Sequence, residues 1–159
     1  LKTDAIKVGT NGLHVPIAVS YAEIALANGT IFPRDDVSVG GWIRYQAFNT
    51  SGIVWNAYGP GGRIYVSQLD SGELRLNIYD GTTYYSLDTD DADLTTGAWY
   101  YIVAKVKQSA SDRFLGVYDV DGEALDTAQD LSTAFNAPTQ AFTSLRIGGT
   151  NTKIGRAQV

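Results

Sequence analysis

The chain has 159 residues, a formal net charge of −5 and a sequence pI of about 4.6, and it contains no cysteine. This length is typical of one domain, and the lack of cysteine excludes disulfide bonds and Cys-ligated zinc or iron–sulfur sites. No apolar run reaches the roughly 18 residues of a membrane-spanning helix, so the sequence predicts no membrane insertion.

Short apolar–polar alternations, typical of half-buried strands, follow one another along the chain. Residues 19–26 fit a strand better than a helix, because their apolar residues alternate and an Asn-Gly turn follows. Residues 63–69 and 73–79 alternate with period two, and the Asp-Ser-Gly sequence at 70–72 predicts a hairpin between them. Further predicted strands are Ile53–Tyr58, Thr82–Leu87, Trp99–Lys107 and Phe114–Val120. Leu131–Phe135 is the segment where we expect a helical turn.

Strand-sized segments recur about every eight to twelve residues, with Gly, Asp and Pro at the turns between them. This spacing is typical of sandwiches and barrels. The sequence therefore predicts an all-β protein that folds as a two-sheet antiparallel β-sandwich, with one domain over residues 1–159.

The negative charge is concentrated in one stretch of the chain. Between Arg75 and Lys105 there is no basic residue, whereas five aspartates in that stretch equal the whole net charge. They are Asp80, Asp88, Asp90, Asp91 and Asp93. An acidic surface repels phosphate backbones, so we expect no nucleic-acid partner.

Several segments resemble, in order, the laminin-G-like and pentraxin-like branch of concanavalin A-like sandwiches. Residues 32–45, with a short apolar run leading into Trp42, are similar to the early strand of that family, and residues 97–104, opening with Trp99, are similar to its middle strand. The later resembling segments are Leu115–Leu125, Leu145–Gly149 and Ile154–Val159. The resemblance implies a jelly roll that holds ligands on a concave face or at the loop rim.

The resemblance also bears on the last strand. Members of the family usually continue for several residues past the point where this chain stops. We therefore expect the last strand to be either short and paired within the chain or completed by a neighbouring chain.

The residues argue against catalysis. The laminarinase-type hydrolases of the family carry a Glu-x-Asp-x-x-Glu motif on one strand, whereas this chain has only Glu23, Glu73 and Glu123, which cannot share a strand. The single histidine, His14, has no neighbouring serine or aspartate pattern that would indicate a triad. The sequence predicts that the chain is not an enzyme.

Four carboxylates within six residues form a candidate metal site: Asp88, Asp90, Asp91 and Asp93. Oxygen ligands at such spacing suit Ca²⁺, the one cofactor that the sequence indicates. The segment is not an EF-hand, because no glycine stands sixth and Trp99 stands twelfth. The alternative is a solvated loop in which the aspartates cap a turn.

If residues 63–69 and 73–79 pair, their polar residues lie on one side of the sheet. The candidate ligand-binding residues of this surface are Tyr65, Arg75, Asn77, Tyr79 and Tyr85. Aromatic rings beside planar hydrogen-bonding groups suit sugars, whose C–H faces pack on rings and whose hydroxyls need polar partners. The alternative is an outer face on which these residues form ordinary cross-strand pairs.

These features predict a non-catalytic binding module for a glycan or a protein partner, located outside the cell, at the cell surface or at a virion surface, with Ca²⁺ as an accessory ion. The alternative is a structural subunit of a virion surface, phage tail or extracellular filament that self-associates through edge strands. A divergent glycan-active enzyme is the third and weakest interpretation.

Overall fold

The computed structural model describes residues 22–25, 34–47, 52–69, 72–90, 94–148 and 153–158. Within these residues the chain forms β-strands and one turn of 3₁₀ helix at Gln108–Ala110. The strands are β1 Ala22–Ala25, β2 Asp36–Ala47, β3 Gly52–Gly59, β4 Gly62–Gln68, β5 Leu74–Tyr79, β6 Tyr84–Asp88, β7 Trp99–Lys107, β8 Asp112–Tyr118, β9 Ala124–Asp130, β10 Ser144–Ile147 and β11 Lys153–Gln158.

The strands form two sheets in which every neighbouring pair is antiparallel. One sheet has the order β1-β10-β3-β4-β5-β6 and the other has the order β11-β2-β7-β8-β9. This confirms the predicted two-sheet antiparallel sandwich. The last strand, β11, pairs with β2 of the same chain.

Side-chain alternation explains why these segments form strands around one core. Along β7, residues 100, 102, 104 and 106 are buried, whereas the intervening residues are half-buried. Across the β4–β5 hairpin, Ile64 lies opposite Ile78 and Val66 lies opposite Leu76, and all four are fully buried. Each such side chain contributes about 1.5–3 kcal/mol by leaving water.

Arg113 joins the two sheets through the interior. This β8 residue is 3% exposed; it donates from Nη1 to the carbonyl oxygen of Ser86 on β6 (3.1 Å) and pairs through Nη2 with Asp130 on β9 (2.5 Å). The guanidinium also lies 5.6 Å from the centroid of the Phe135 ring. Arg113 therefore connects the two sheets, and its buried charge is compensated by Asp130.

The segment after β9 differs from the sequence-based expectation. The predicted helical turn at Leu131–Phe135 is wrong, because the Asp130 carboxylate accepts from the N–H groups of Ser132 and Thr133 and fixes a bend instead. Strand β9 also continues to Asp130, farther than its apolar residues indicate. It is an edge strand with polar residues on both sides, so it carries little alternation. No helix within the described ranges is long and apolar enough to cross a membrane.

Candidate functional site

Strands β4, β5 and β6 carry three rows of polar and aromatic side chains on the outer surface of the six-stranded sheet. Directly paired residues of antiparallel strands project from the same face, and the register joins each row across all three strands. The rows are Arg63–Tyr79–Tyr84, Tyr65–Asn77–Ser86 and Ser67–Arg75–Asp88. We call these residues the polar face.

A hydrogen-bonded chain runs through the middle of the polar face. Asn77 donates from Nδ2 to Ser67 Oγ (3.2 Å), and its Oδ1 accepts from Ser86 Oγ (3.1 Å). Asn77 and Ser67 are buried even though they lie on the outer side of the sheet. Polar groups held in such a network are rigid, so they keep a fixed pattern of donors and acceptors.

Arg75 and Asp88 form the strongest polar contact of the face. Arg75 donates from Nε to one carboxylate oxygen (2.7 Å) and from Nη2 to the other (2.6 Å), which is the bidentate geometry of a strong ion pair. The hydrogen bonds to Asp88 raise the pKa of Arg75. The charge of this arginine is therefore already compensated.

Arg63 has a different environment. Its guanidinium lies 4.7 Å from the centroid of the Tyr65 ring and donates to the hydroxyl of Tyr84 (2.7 Å). Among the described residues it has no carboxylate partner. The Tyr84 ring stacks on that of Tyr79, with centroids 4.5 Å apart and an interplanar angle of 24°. Arg63 is thus a cation held in place by aromatic groups instead of by an acid.

An open depression of about 280 Å³ lies in the polar face. Both guanidinium-bearing side chains reach it, and so does the phenol of Tyr65, whose hydroxyl forms no hydrogen bond with any described residue. Burial is the main reason why the pKa of Tyr65 is raised, so its hydroxyl is protonated at neutral pH and able to donate. The lining residues are Ile53, Arg63, Tyr65, Ser67, Leu69, Arg75 and Asn77.

Comparison with known families identifies the fold. A laminin G family model, described as belonging to the concanavalin A-like lectin/glucanases superfamily, matches residues 19–158. The chain belongs to this superfamily. The laminin-G-like resemblance predicted from the sequence is thereby confirmed. No curated protein is similar enough in sequence to count as a relative.

Solved structures with the same fold differ widely from this laminin-G-like domain in sequence. Domains LG4-5 of the mouse laminin alpha1 chain align with 92% of this chain and 39% of that one, at 13% identity and a TM-score of 0.67. The CBM40 of a Ruminococcus gnavus IT-sialidase, bound to α2,3-sialyllactose, aligns with 89% of this chain and 90% of that one, at 15% identity and a TM-score of 0.57. At such identities the likeness establishes the fold alone.

A phage protein is also among the similar structures. The enzymatically active domain of tailspike protein 2 from bacteriophage CBA120 aligns with 92% of this chain and 26% of that one, at 12% identity and a TM-score of 0.57. This laminin-G-like domain therefore spans well under half of the laminin and tailspike chains that it resembles.

The structure brings most of the predicted ligand-binding residues of this laminin-G-like domain together. Tyr65, Arg75 and Asn77 line the depression, and Tyr79 lies on the same face in the neighbouring row. Placing Tyr85 with them was wrong. Tyr85 pairs with the core residue Ile78, so its ring packs inward against Phe135. Strand alternation decides this, because only one of two consecutive tyrosines can face outward.

The candidate metal residues are only partly described. Asp88 lies on the polar face and is paired with Arg75, and Asp90 is exposed. Asp91 and Asp93 lie outside the described residues. Within the described part of the chain, no three acidic or histidine side chains form a cluster able to hold a metal ion. Calcium binding by residues 88–93 stays a prediction, and it would compete with Arg75 for Asp88.

Two side chains that form hydrogen bonds on the polar face, those of Asp88 and Ser86, were not predicted in these roles from the sequence. Asp88 was considered as a metal ligand and not as the partner of Arg75, and Ser86 was not considered. The signal for both was available, because alternation along residues 84–88 places Tyr84, Ser86 and Asp88 on one side of β6.

Proposed function

We propose that this laminin-G-like domain is a non-catalytic module that binds an acidic glycan on the polar face, and that it works outside the cell or on a cell or virion surface. The observation that carries the proposal is the guanidinium of Arg63, which has no carboxylate partner among the described residues and lies at a depression lined by Tyr65. Since Asp88 compensates Arg75, Arg63 gives the depression a local positive charge in a chain whose net charge is −5, and no acidic residue is among the described residues that line it.

Charge complementarity favours an anionic group, such as the carboxylate or sulfate of an acidic sugar, over a neutral one. A guanidinium presents parallel N–H donors that match two oxygens of such a group. Arg75 already uses this geometry with Asp88, whereas Arg63 has no carboxylate partner in the part of the chain that the structure describes, so Arg63 is the cation that we expect to accept a ligand. Its position over the Tyr65 ring limits the freedom that it would lose on binding.

The remaining groups suit the sugar ring that carries the anion. The hydroxyl of Tyr65 provides a donor, Asn77 is held rigidly, and the Tyr79–Tyr84 stack provides an aromatic surface in the neighbouring row. The volume of about 280 Å³ lies just below the range of about 300–1,000 Å³ for pockets that hold drug-sized ligands, which fits one or two sugar rings. Because these groups are ordered before binding, the ordering cost is small.

Two further observations support binding over the alternatives. Glycoside hydrolysis requires two carboxyl groups about the scissile bond, whereas no carboxyl group is among the described residues that line the depression. The pairing of β11 with β2 supports a self-contained module over a subunit whose last strand is completed by a neighbour. The Ruminococcus gnavus module, which has the same fold and is bound to sialyllactose, provides a precedent for an acidic sugar on this type of sandwich.

The proposal is tested by titrating the whole chain with acidic glycans, namely sialyllactose, polygalacturonate oligomers and chondroitin sulfate oligomers, in a calorimeter. Arg63→Ala should weaken binding by at least about tenfold, because a hydrogen bond to a charged group contributes about 1.5–3 kcal/mol. Arg63→Lys should retain part of the affinity, since it keeps the charge but loses the paired donors. Added salt should weaken binding of the wild-type chain.

Lys107→Ala is the matched control, because it removes one positive charge from the other sheet. It should leave the affinity unchanged. Equal losses of affinity for Lys107→Ala and Arg63→Ala would show that binding depends only on the net charge of the chain, and they would reject the site. Failure of the folded wild-type chain to bind any of the three acidic glycans would reject the proposed function.

A further inference from the structure

The outer surface of the five-stranded sheet carries a second and chemically different surface. The register pairs Trp42 of β2 with Tyr101 of β7, and Tyr101 with Tyr118 of β8, so three aromatic residues lie in one row across the sheet. The Trp42 and Tyr101 rings are in contact, with centroids 5.4 Å apart. We call Trp42, Tyr101 and Tyr118 the aromatic platform.

Glycines in the next row allow the aromatic rings to lie against the sheet. A Cβ atom at Gly40 would lie 2.6 Å from the hydroxyl oxygen of Tyr101, so the phenol extends over this backbone position. A Cβ atom at Gly116 would lie 2.9 Å from ring atoms of both Tyr118 and Phe114. The rings of Tyr101 and Tyr118 thus occupy space that any other residue at these two positions would fill, so they lean over the neighbouring row of the sheet.

The platform forms the floor of an open depression of about 490 Å³ whose edge is acidic. The β8–β9 turn contributes Asp119 and Asp121 to this edge. One oxygen of Asp119 accepts from the N–H groups of Asp121 and Glu123, which fixes the turn. The carboxylate of Asp121 has no hydrogen-bond or ion-pair partner among the described residues. None of the described residues that line the depression is basic.

We propose that the aromatic platform and the acidic turn bind a chain of neutral hexopyranose residues. The apolar C–H face of a pyranose ring packs on aromatic rings, and carboxylates act only as acceptors, so they bind the hydroxyl donors at the ring edge. Acidic sugars are excluded by the two carboxylates. This site goes beyond the proposed function, because it lies on the opposite sheet and selects a neutral ligand instead of an anionic one.

The geometry favours a flat neutral ligand over an organic cation. A cation is bound best when several ring faces surround it, as in an aromatic cage. Here the Trp42 and Tyr101 rings contact each other at an interplanar angle of 59°, and Tyr101 extends over the sheet at Gly40, so these two rings leave no space between them for a cation. A depression of about 490 Å³ is also larger than the one on the polar face, and it suits two or more linked sugar rings.

The test uses the full chain and a panel of cellohexaose, laminarihexaose, mannohexaose and chitohexaose, with affinity measured by calorimetry. At least one member should bind, and Tyr101→Ala should weaken that binding by at least about tenfold, because the ring contributes much of the contact area. Asp121→Asn should weaken it several-fold. Since Asp121 is exposed and without a described partner, this variant tests the site even if Tyr101→Ala fails to fold.

Tryptophan fluorescence gives a second readout. Binding should change the emission of the wild-type chain, and Trp42→Phe should remove most of that change, because Trp55 is buried elsewhere and Trp99 is not among the described residues that line the depression. Tetramethylammonium is the competing probe, and displacement of the oligosaccharide by millimolar amounts would overturn the assignment. It is also overturned if no neutral hexasaccharide binds, or if Tyr101→Ala and Asp121→Asn both leave the affinity unchanged.

The two sites can fail separately. Arg63→Ala should impair binding of acidic glycans and leave neutral ones unaffected, whereas Asp121→Asn should do the reverse. If Arg63→Ala alone abolished binding of both acidic and neutral glycans, the polar face would be the binding site for both. The aromatic platform would then be rejected as a binding site.

Discussion

Asp80 provides a sharp test of how the polar face is held in place. It directly follows β5 and begins the turn that leads to Tyr84, and it is only 5% exposed. Its Oδ1 accepts from the N–H and the hydroxyl of Thr82, both at 2.8 Å, and from the N–H of Thr83 at 2.7 Å. Its Oδ2 accepts from the amide of Asn136 at 3.3 Å.

Two replacements of Asp80, by asparagine and by alanine, should destabilise the fold by different amounts. Asp80→Asn keeps an acceptor oxygen but loses the charge, so each bond falls from about 1.5–3 to about 0.5–1.5 kcal/mol. Because the three bonds to Oδ1 are not additive, we expect a loss of about 1–2 kcal/mol for Asp80→Asn. Asp80→Ala removes every bond and leaves buried donors unpaired, so we expect about 3–4 kcal/mol.

The loss of unfolding free energy on replacing Asp80 should depend on pH. Hydrogen bonds, of which that from the Thr83 N–H is the largest contributor, lower the pKa of Asp80 in the folded chain. In the unfolded chain the group has a pKa of about 3.9. A carboxyl whose pKa is lower in the folded state stabilises the protein above its unfolded pKa, and that contribution is lost as the pH falls toward the folded pKa.

Urea denaturation followed by tryptophan fluorescence at pH 7 and near pH 3 measures both effects. The gap in unfolding free energy between the wild-type chain and Asp80→Asn should narrow at the lower pH. Asp121→Asn makes the same charge change on an exposed turn residue and should be near neutral at both. A gap that is absent at pH 7, or that does not narrow in acid, would refute the assignment of the stabilisation to a charged Asp80.

Three other predictions concern packing, the buried cation and the metal. Gly116→Ala should destabilise the fold by about 1–3 kcal/mol in urea denaturation, because the added methyl group would overlap the two rings that lie beside it. A fully retained stability would show that the rings are not held against the sheet. Asp130→Asn should lower the denaturation midpoint more than Arg113→Met, because it leaves the buried guanidinium without its carboxylate; the reverse order would contradict this. If residues 88–93 bind Ca²⁺, EDTA should lower the melting temperature and added Ca²⁺ should restore it. An unchanged melting temperature would reject calcium binding by these residues.

Local alternation was enough to predict the part of the candidate site that one hairpin builds. Tyr65 on β4 and Asn77 on β5 are separated by a single tight turn, so period-two patterning alone places them side by side. The same rule, applied strictly, separates Tyr84 from Tyr85. The error with Tyr85 came from placing it on the polar face without following the alternation along β6.

Long-range pairing decided what the sequence could not. The aromatic platform joins residues 42, 101 and 118, which only the order of strands β2, β7 and β8 makes neighbours. The bond between Asp80 and Asn136 spans 56 positions for the same reason. Likewise, the register between β5 and β6 determines whether Asp88 lies beside Arg75 or is available to a metal ion. Composition does not encode that register.

The sequence by itself determined the all-β class and the surface of one hairpin, because the side-chain period of two is a local property of an extended chain. The tertiary structure decided which strands are neighbours, which charges are compensated, and which aromatic rings share a row. Those features depend on contacts between residues far apart in the chain, and such contacts exist only after the two sheets have packed together.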